Sequence, residues 1–209
     1  MLNLPSSTQA NRFLAKKSFE TKIVNGKRIF ENIEKITLKY KLSPSTINIE
    51  KTKNIAEILI FEIVLKEKQE KEKALPIIAI KNINELVKAP ILFKFIYEDR
   101  FCFSILYKEQ NQYFFSSWNE EIEFEFSQSN LQKVYENIIQ TFFKTAAKNI
   151  KNDFQKAYKL ENKIESLQKD IKALENKISK EKQFKKKLEY SQKLKPKENE
   201  LENILKEIK

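Results

Sequence analysis

The sequence predicts an α+β fold: a largely antiparallel sheet with packed helices, then a long C-terminal helix or coiled coil, with a helical hairpin its expected form. Three observations predict it. Short apolar runs with period-two alternation, separated by turn residues, occupy much of residues 36–126. One helical pattern interrupts them, giving the order strand, strand, helix, strand, strand. From Leu160 onward, apolar residues recur at alternating spacings of four and three, the heptad seam of a coiled coil.

Residues 1–30 read as a basic N-terminal arm. They hold a helix-start signal near Ser7 or Thr8 and a basic cluster at Arg12, Lys16 and Lys17. Asn25-Gly26 is a turn dipeptide. Ile36, Leu38, Tyr40 and Leu42 then alternate with polar residues, as in a half-buried strand, and "SPST" breaks it. In "AEILIFEIVL", Ile58, Ile60, Glu62 and Val64 share one face, and Leu59, Phe61, Ile63 and Leu65 the other. Both faces are mostly apolar, which predicts a central strand covered on both sides.

A Lys- and Glu-rich loop follows at 66–74. "LPIIAIKNINELVKA" reads as a helix with Pro76 in its first turn, stopped by Pro90. Apolar runs on either side of Glu98-Asp99-Arg100 predict a hairpin, and "QYFFSSW" and "IEFEF" two further strands. Trp118 and the aromatic residues between Phe93 and Phe126 read as core, with an exposed stacking platform as the alternative. Leu131, Val134, Tyr135, Ile138, Ile139, Phe142 and Phe143 form an amphipathic stripe, the docking helix of a head spanning 31–150. No Pro or Gly lies between Leu131 and Lys195, so this helix can run on into the tail.

The tail, 151–209, is a lysine-rich coiled coil with a phase break near 179–187. Its first seam is Leu160, Ile164, Leu167, Ile171, Leu174 and Ile178. Its second is Tyr190, Leu194, Leu201, Ile204 and Ile208, with Lys197 where an apolar residue would fit. The seams are out of phase, as in a long helix with a stutter or in a hairpin with antiparallel seams. Their similar lengths favour the hairpin. The absence of Gly, Asn or Pro at the junction counts against it, and Pro196 predicts a kink or a late start of the second helix. Self-association through the seam is a further expectation.

Composition excludes several chemistries. There is no His, so histidine general bases, Ser-His or Cys-His dyads and His-ligated metals are absent. The single Gly, Gly26, rules out glycine-rich phosphate loops. The single Cys, Cys102, rules out disulfide frameworks and zinc clusters, and its apolar strand makes it inert core. No secretory signal and no membrane-length apolar run is present, so a cytoplasmic location is expected. Scarce Gly with abundant Lys, Asn, Ile and Phe reflects an AT-rich coding bias, which discounts the net charge of +11.

That charge is uneven. From Lys144 to Lys209 there are 19 Lys against 11 Asp and Glu. The excess is either a solvated helix surface or a polyanion contact. The residues that would touch phosphates are Lys16 and Lys17 in the arm and Lys180, Lys182, Lys185, Lys186 and Lys187 in the tail. If 179–187 is a hairpin tip, the densest positive charge sits farthest from the head.

No catalytic or metal-binding residues emerge, and no cofactor is implied. A histidine-free nuclease would need carboxylates, a lysine and a metal. Glu62 and Lys66 share a strand face but are four apart, and Glu20 and Lys22 sit in the arm. Glu121, Glu123 and Glu125 alternate with apolar residues, as on the solvent face of an edge strand.

Four blocks carry a family resemblance: "LNLPSSTQANR", "YKLSPSTINIEKT" with "IAEILIFEIVLK", "KAPILFKFIYEDRFCFSILYK" and "IKALENKISKEKQFKKKLEYSQKLKP". Over nearly the whole chain they resemble an uncharacterised prokaryotic domain-of-unknown-function family of small proteins with a terminal coil. The last block is the most specific. Ser191, Gln192 and Pro196 depart from it, where the family more often has an uninterrupted helix. The family is typically encoded in restriction–modification or defence islands beside SNF2-type helicases and DNA methyltransferases. The resemblance therefore implies a non-catalytic accessory or assembly subunit that bridges such a partner and DNA. The alternatives are a sequence-independent nucleic-acid-binding protein and a degenerate metal-dependent nuclease.

Overall fold

A computed structural model describes residues 2–66 and 75–208; residues 67–74 of the expected Lys- and Glu-rich loop lie outside them. The fold is α+β, with a six-stranded, mostly antiparallel sheet and a C-terminal helical hairpin. The chain divides into two compact units, Met1–Phe142 and Phe143–Lys209.

In the first unit the strands lie in chain order across the sheet: β1 (Gln9–Leu14), β2 (Ile33–Leu42), β3 (Ile58–Leu65), β4 (Ile91–Tyr97), β5 (Arg100–Tyr107) and β6 (Gln112–Phe115). Its helices are α1 (Lys17–Glu20), α2 (Gly26–Ile29), α3 (Pro44–Ile47), α4 (Ile77–Leu86) and α5 (Leu131–Gln140). All neighbours are antiparallel except β3 and β4, which are joined through the helix Ile77–Leu86. A parallel pair needs such a crossover. The helix buries Ala79, Ile80 and Ile83 against one sheet face, with Leu59, Phe61, Ile63, Phe93 and Phe95. Phe19 and Phe30, stacked at 6.0 Å between centroids, join the same core. Trp118 packs against it, half-buried.

Four details differ from the sequence reading. The arm does not start a helix at Ser7 or Thr8: Ser6–Thr8 makes one 3-10 turn, held by Thr8 Oγ1 donating to Pro5 O at 2.6 Å, the chain then enters β1, and single helical turns follow only at Lys17–Glu20 and Gly26–Ile29. In β2 the alternation does not keep one face. Leu38 pairs with Phe61 but Tyr40 with Ile60, so a bulge at Lys39 sends Ile36 and Leu38 to one face and Tyr40 and Leu42 to the other.

"IEFEF" forms no strand, although Ile122 is buried and Glu121, Glu123 and Glu125 are exposed as alternation predicts. Burial periodicity there is satisfied without ladder hydrogen bonds, and β6 ends at Phe115. Finally, the docking helix is short, Leu131–Gln140, capped by Asn130 Oδ1 accepting from Lys133 N at 3.1 Å. Tyr135 fixes it to β5 by accepting from Lys108 N at 3.1 Å and donating to Leu106 O.

The second unit holds a 3-10 turn, Ala146–Asn149, and two helices, α6 (Phe154–Lys180) and α7 (Phe184–Ile208). Asp153 caps α6, its carboxylate accepting from Lys156 N at 2.9 Å, and Asn152 before it takes a left-handed φ of 64°. These two residues end the possibility of one helix running from Leu131 into the tail. Glu161 is 2% exposed, and its carboxylate accepts from Lys144 N, Thr145 N and Thr145 Oγ1. It ties the incoming chain to the side of α6.

Candidate nucleic-acid interface

The helices α6 and α7 form an antiparallel hairpin. Its apolar seam is densest where Ile164, Leu167 and Ile204 are buried, with Leu160, Leu201, Leu205 and Ile208 packed around them. Ile171, Leu174, Ile178, Tyr190 and Leu194 continue it, half-buried. Of the predicted seam residues, Leu160, Ile164, Leu167, Leu201, Ile204 and Ile208 thus pack together in one intramolecular cluster. Lys197, the polar residue in the second seam, reaches Asp170 at 2.7 Å, and Lys163 reaches Glu200 at 2.7 Å. The helix α7 begins at Phe184 and includes Pro196 within it, so the expected late start does not occur.

The two helices are joined by Glu181, Lys182 and Gln183 alone. Glu181 takes an extended backbone, φ −74° and ψ 134°, and its Oε1 accepts from Lys182 N and Gln183 N at 2.9 Å each. The side chain thus supplies what Gly, Asn or Pro would supply in another turn. These bonds, first that from Gln183, hold the Glu181 carboxyl below the ordinary carboxylate range, with smaller help from Lys186 and Lys187.

The predicted phosphate-contacting lysines of the tail fall at this tip. Lys180 closes α6, Lys182 lies in the connection, and Lys185, Lys186 and Lys187 follow the first residue of α7. Lys187 is half-buried and the others are exposed. Residues 177–187 hold six lysines against one glutamate. Lys177 sits over the Tyr190 ring, 5.9 Å from its centroid.

Two tip residues escaped the sequence reading. Phe184 is 80% exposed and Leu188 is 49% exposed. They are one turn apart and share a face of α7. The out-of-seam position of Phe184, directly after "KEKQ", was the available signal.

The arm lysines behave differently. Lys16 is not free for phosphate: its ammonium donates to Ile33 O at 2.8 Å and Phe30 O at 3.3 Å, and lies 3.9 Å from Glu20. It caps carbonyls where the chain turns into β2. Lys17 is exposed.

Glu62 lies in a row of register partners across the sheet, Phe13, Thr37, Glu62, Lys94 and Phe103. Its neighbours are a threonine and a lysine, so the adjacent strands bring no second carboxylate beside it. Lys66 lies past the end of β3. Among the described residues no group of three or more Cys, Asp or Glu is placed to hold a metal ion. A cavity of about 180 Å³ borders this row, lined by Leu2, Lys94, Phe101, Phe103, Glu121 and Ile122. Lys94 lies 5.3 Å from the Phe101 ring centroid. Cys102 is buried and its thiol is pushed up to about 12 by burial, which keeps it protonated and unreactive. No helix among the described residues is long and apolar enough to cross a membrane.

The profile of a family described as a domain of unknown function, DUF4391, matches residues 2–201. No curated protein and no solved structure matches the chain.

Proposed function

As the chain belongs to the DUF4391 family, whose role is open, we propose that it is a non-catalytic accessory subunit of a DNA-processing system, and that its hairpin tip contacts the nucleic-acid backbone. One observation carries this reading. Lys185, Lys186 and Lys187 stand in the first turn of α7, which has no acidic residue. The helix dipole there favours negative charge, so three lysines oppose helix stability. A solvated surface under coding bias gains nothing from this placement, whereas a phosphate contact does.

The resemblance to proteins encoded beside SNF2-type helicases and DNA methyltransferases supports a protein partner of that kind, held by the sheet unit. The alternative reading is a nucleic-acid binder that acts alone. Both use the tip, and they part on whether a partner co-purifies.

The test is binding of the full chain to a fluorescent single strand at about 50 and 200 mM salt. Neutralising five phosphates at roughly −0.7 per contact in the log–log slope predicts a loss of about 100-fold. The variant combining Lys182→Glu, Lys185→Glu and Lys187→Glu should lose binding and keep its helical content. Wild-type protein that gives no salt-sensitive binding at 50 mM would refute the tip contact.

A further inference from the structure

We infer that the tip prefers unpaired nucleic acid to duplex, with Phe184 as a stacking residue inserted among bases. The inference rests on the proposed backbone contact and adds the class of nucleic acid.

Phe184 opens α7 directly after the three-residue connection from α6. Nothing opposite covers it, and it is 80% exposed. Leu188, one turn on, extends the same face. At about 100° per residue, Lys185 and Lys187 stand about 80° to either side of the line between Phe184 and Leu188, and Lys186 lies behind it. The arrangement is an apolar strip flanked by two ammonium groups, with Lys180 and Lys182 at its open end.

An apolar strip rimmed by cations fits a ligand with anionic edges and a flat apolar surface. A single-stranded nucleic acid has both, because its unstacked bases present faces between phosphates. A duplex offers phosphates but keeps its base faces stacked inside. An isolated exposed phenylalanine is unremarkable on many proteins. Here it sits at the centre of the most basic segment, where a polar residue would serve a solvated turn better.

The experiment compares the full chain with Phe184→Ala and Phe184→Trp on an oligothymidine strand, on a duplex of equal length, and on vesicles containing phosphatidylserine. Phe184→Ala should lose roughly ten-fold for the single strand and less than two-fold for the duplex, with an unchanged salt slope. Phe184→Trp should retain single-strand affinity, and its emission should be quenched by the oligonucleotide beyond any change in the wild-type Trp118 signal. Equal losses on strand and duplex, or no loss on either, would overturn the stacking role while leaving the lysine contact standing. Wild-type binding to the vesicles that exceeds binding to the strand would overturn it in favour of a membrane surface. No binding by wild type to either nucleic acid would instead refute the tip contact itself.

Discussion

Lys197 Nζ and Asp170 Oδ2 meet at 2.7 Å across the helical hairpin, from α7 to α6. The position reads as a defect in the second seam, because an apolar residue would fit there. Its partner explains it: the lysine stem covers the seam while its head pairs with the facing helix. Both side chains are more than a third exposed, so the pair is worth little. A double-mutant cycle of Asp170→Ala and Lys197→Ala, read by thermal unfolding, should give a coupling of about 0.5 kcal/mol or less. A coupling several times larger would mean that the pair holds the hairpin together.

Glu161 is a different case. Its carboxylate is buried and accepts from two backbone N–H groups and a hydroxyl. Glu161→Ala leaves those donors unpaired and should cost about 2–4 kcal/mol in urea unfolding. Glu161→Gln, which keeps one carbonyl acceptor, should cost less. Equal costs for both would assign the role to packing rather than to hydrogen bonding.

Gly26 is needed for space, not for a left-handed backbone. A Cβ there would lie 2.2 Å from the carbonyl oxygen of Glu20. Gly26→Ala should destabilise the sheet unit by about 1–3 kcal/mol as the helical turns Lys17–Glu20 and Gly26–Ile29 are forced apart. A neutral substitution in thermal unfolding would show that the turns have slack.

The three lysines at the start of α7 predict a trade between stability and binding. Lys185→Glu should raise hairpin stability by about 0.5 kcal/mol through the helix dipole while weakening single-strand binding. Loss of both together would mean that the variant acts by unfolding. Loss of neither would make Lys185 a bystander.

Glu181 should make the tip acid-sensitive. Its carboxyl titrates below the ordinary glutamate value of 4.5 because Gln183 N and then Lys182 N bond to the charged form. A depressed folded-state value contributes stability above the unfolded-state value, and that stability is lost as pH falls through the folded one. The amide resonances of Lys182 and Gln183 should therefore move with a midpoint below 4.5. A midpoint at or above 4.5 would show that the two bonds do not form in solution.

Much of this fold was legible because apolar periodicity reports burial. The central strand Ile58–Leu65, the hairpin turning at Glu98 and the heptad seams all follow from it. What it misses is hydrogen bonding. The alternation of Glu121, Ile122 and Glu123 predicts burial correctly and strand pairing wrongly, since side-chain pattern says nothing of a partner strand. The bulge at Lys39 is invisible for the same reason: one inserted residue changes face without breaking the local pattern.

Turns were obscured by composition. With one glycine in the chain, the left-handed positions among the described residues fall to Asn11, Asn25, Asn48, Asn111, Asn119 and Asn152, and to Glu98. Asparagine tolerates that region because its short side chain bonds locally. Reading each Asn as a potential turn would have found the break before α6. The hairpin tip uses neither residue, and only the bonds of Glu181 reveal it. Among the candidate site residues, the tip lysines stood out by charge density, and the structure places them together at the hairpin tip. Lys16 was misread because sequence does not show carbonyls converging on an ammonium.

The central claim is that nucleic acid meets the chain at the hairpin tip. The most direct measurement is photo-crosslinking of the full-length protein to a single strand carrying 5-iodouracil, with the adducts mapped by mass spectrometry. The account predicts adducts concentrated between Lys180 and Leu188, with Phe184 the principal site and loss of the signal in Phe184→Ala. Adducts confined to the sheet unit, with the tip unmodified, would contradict it.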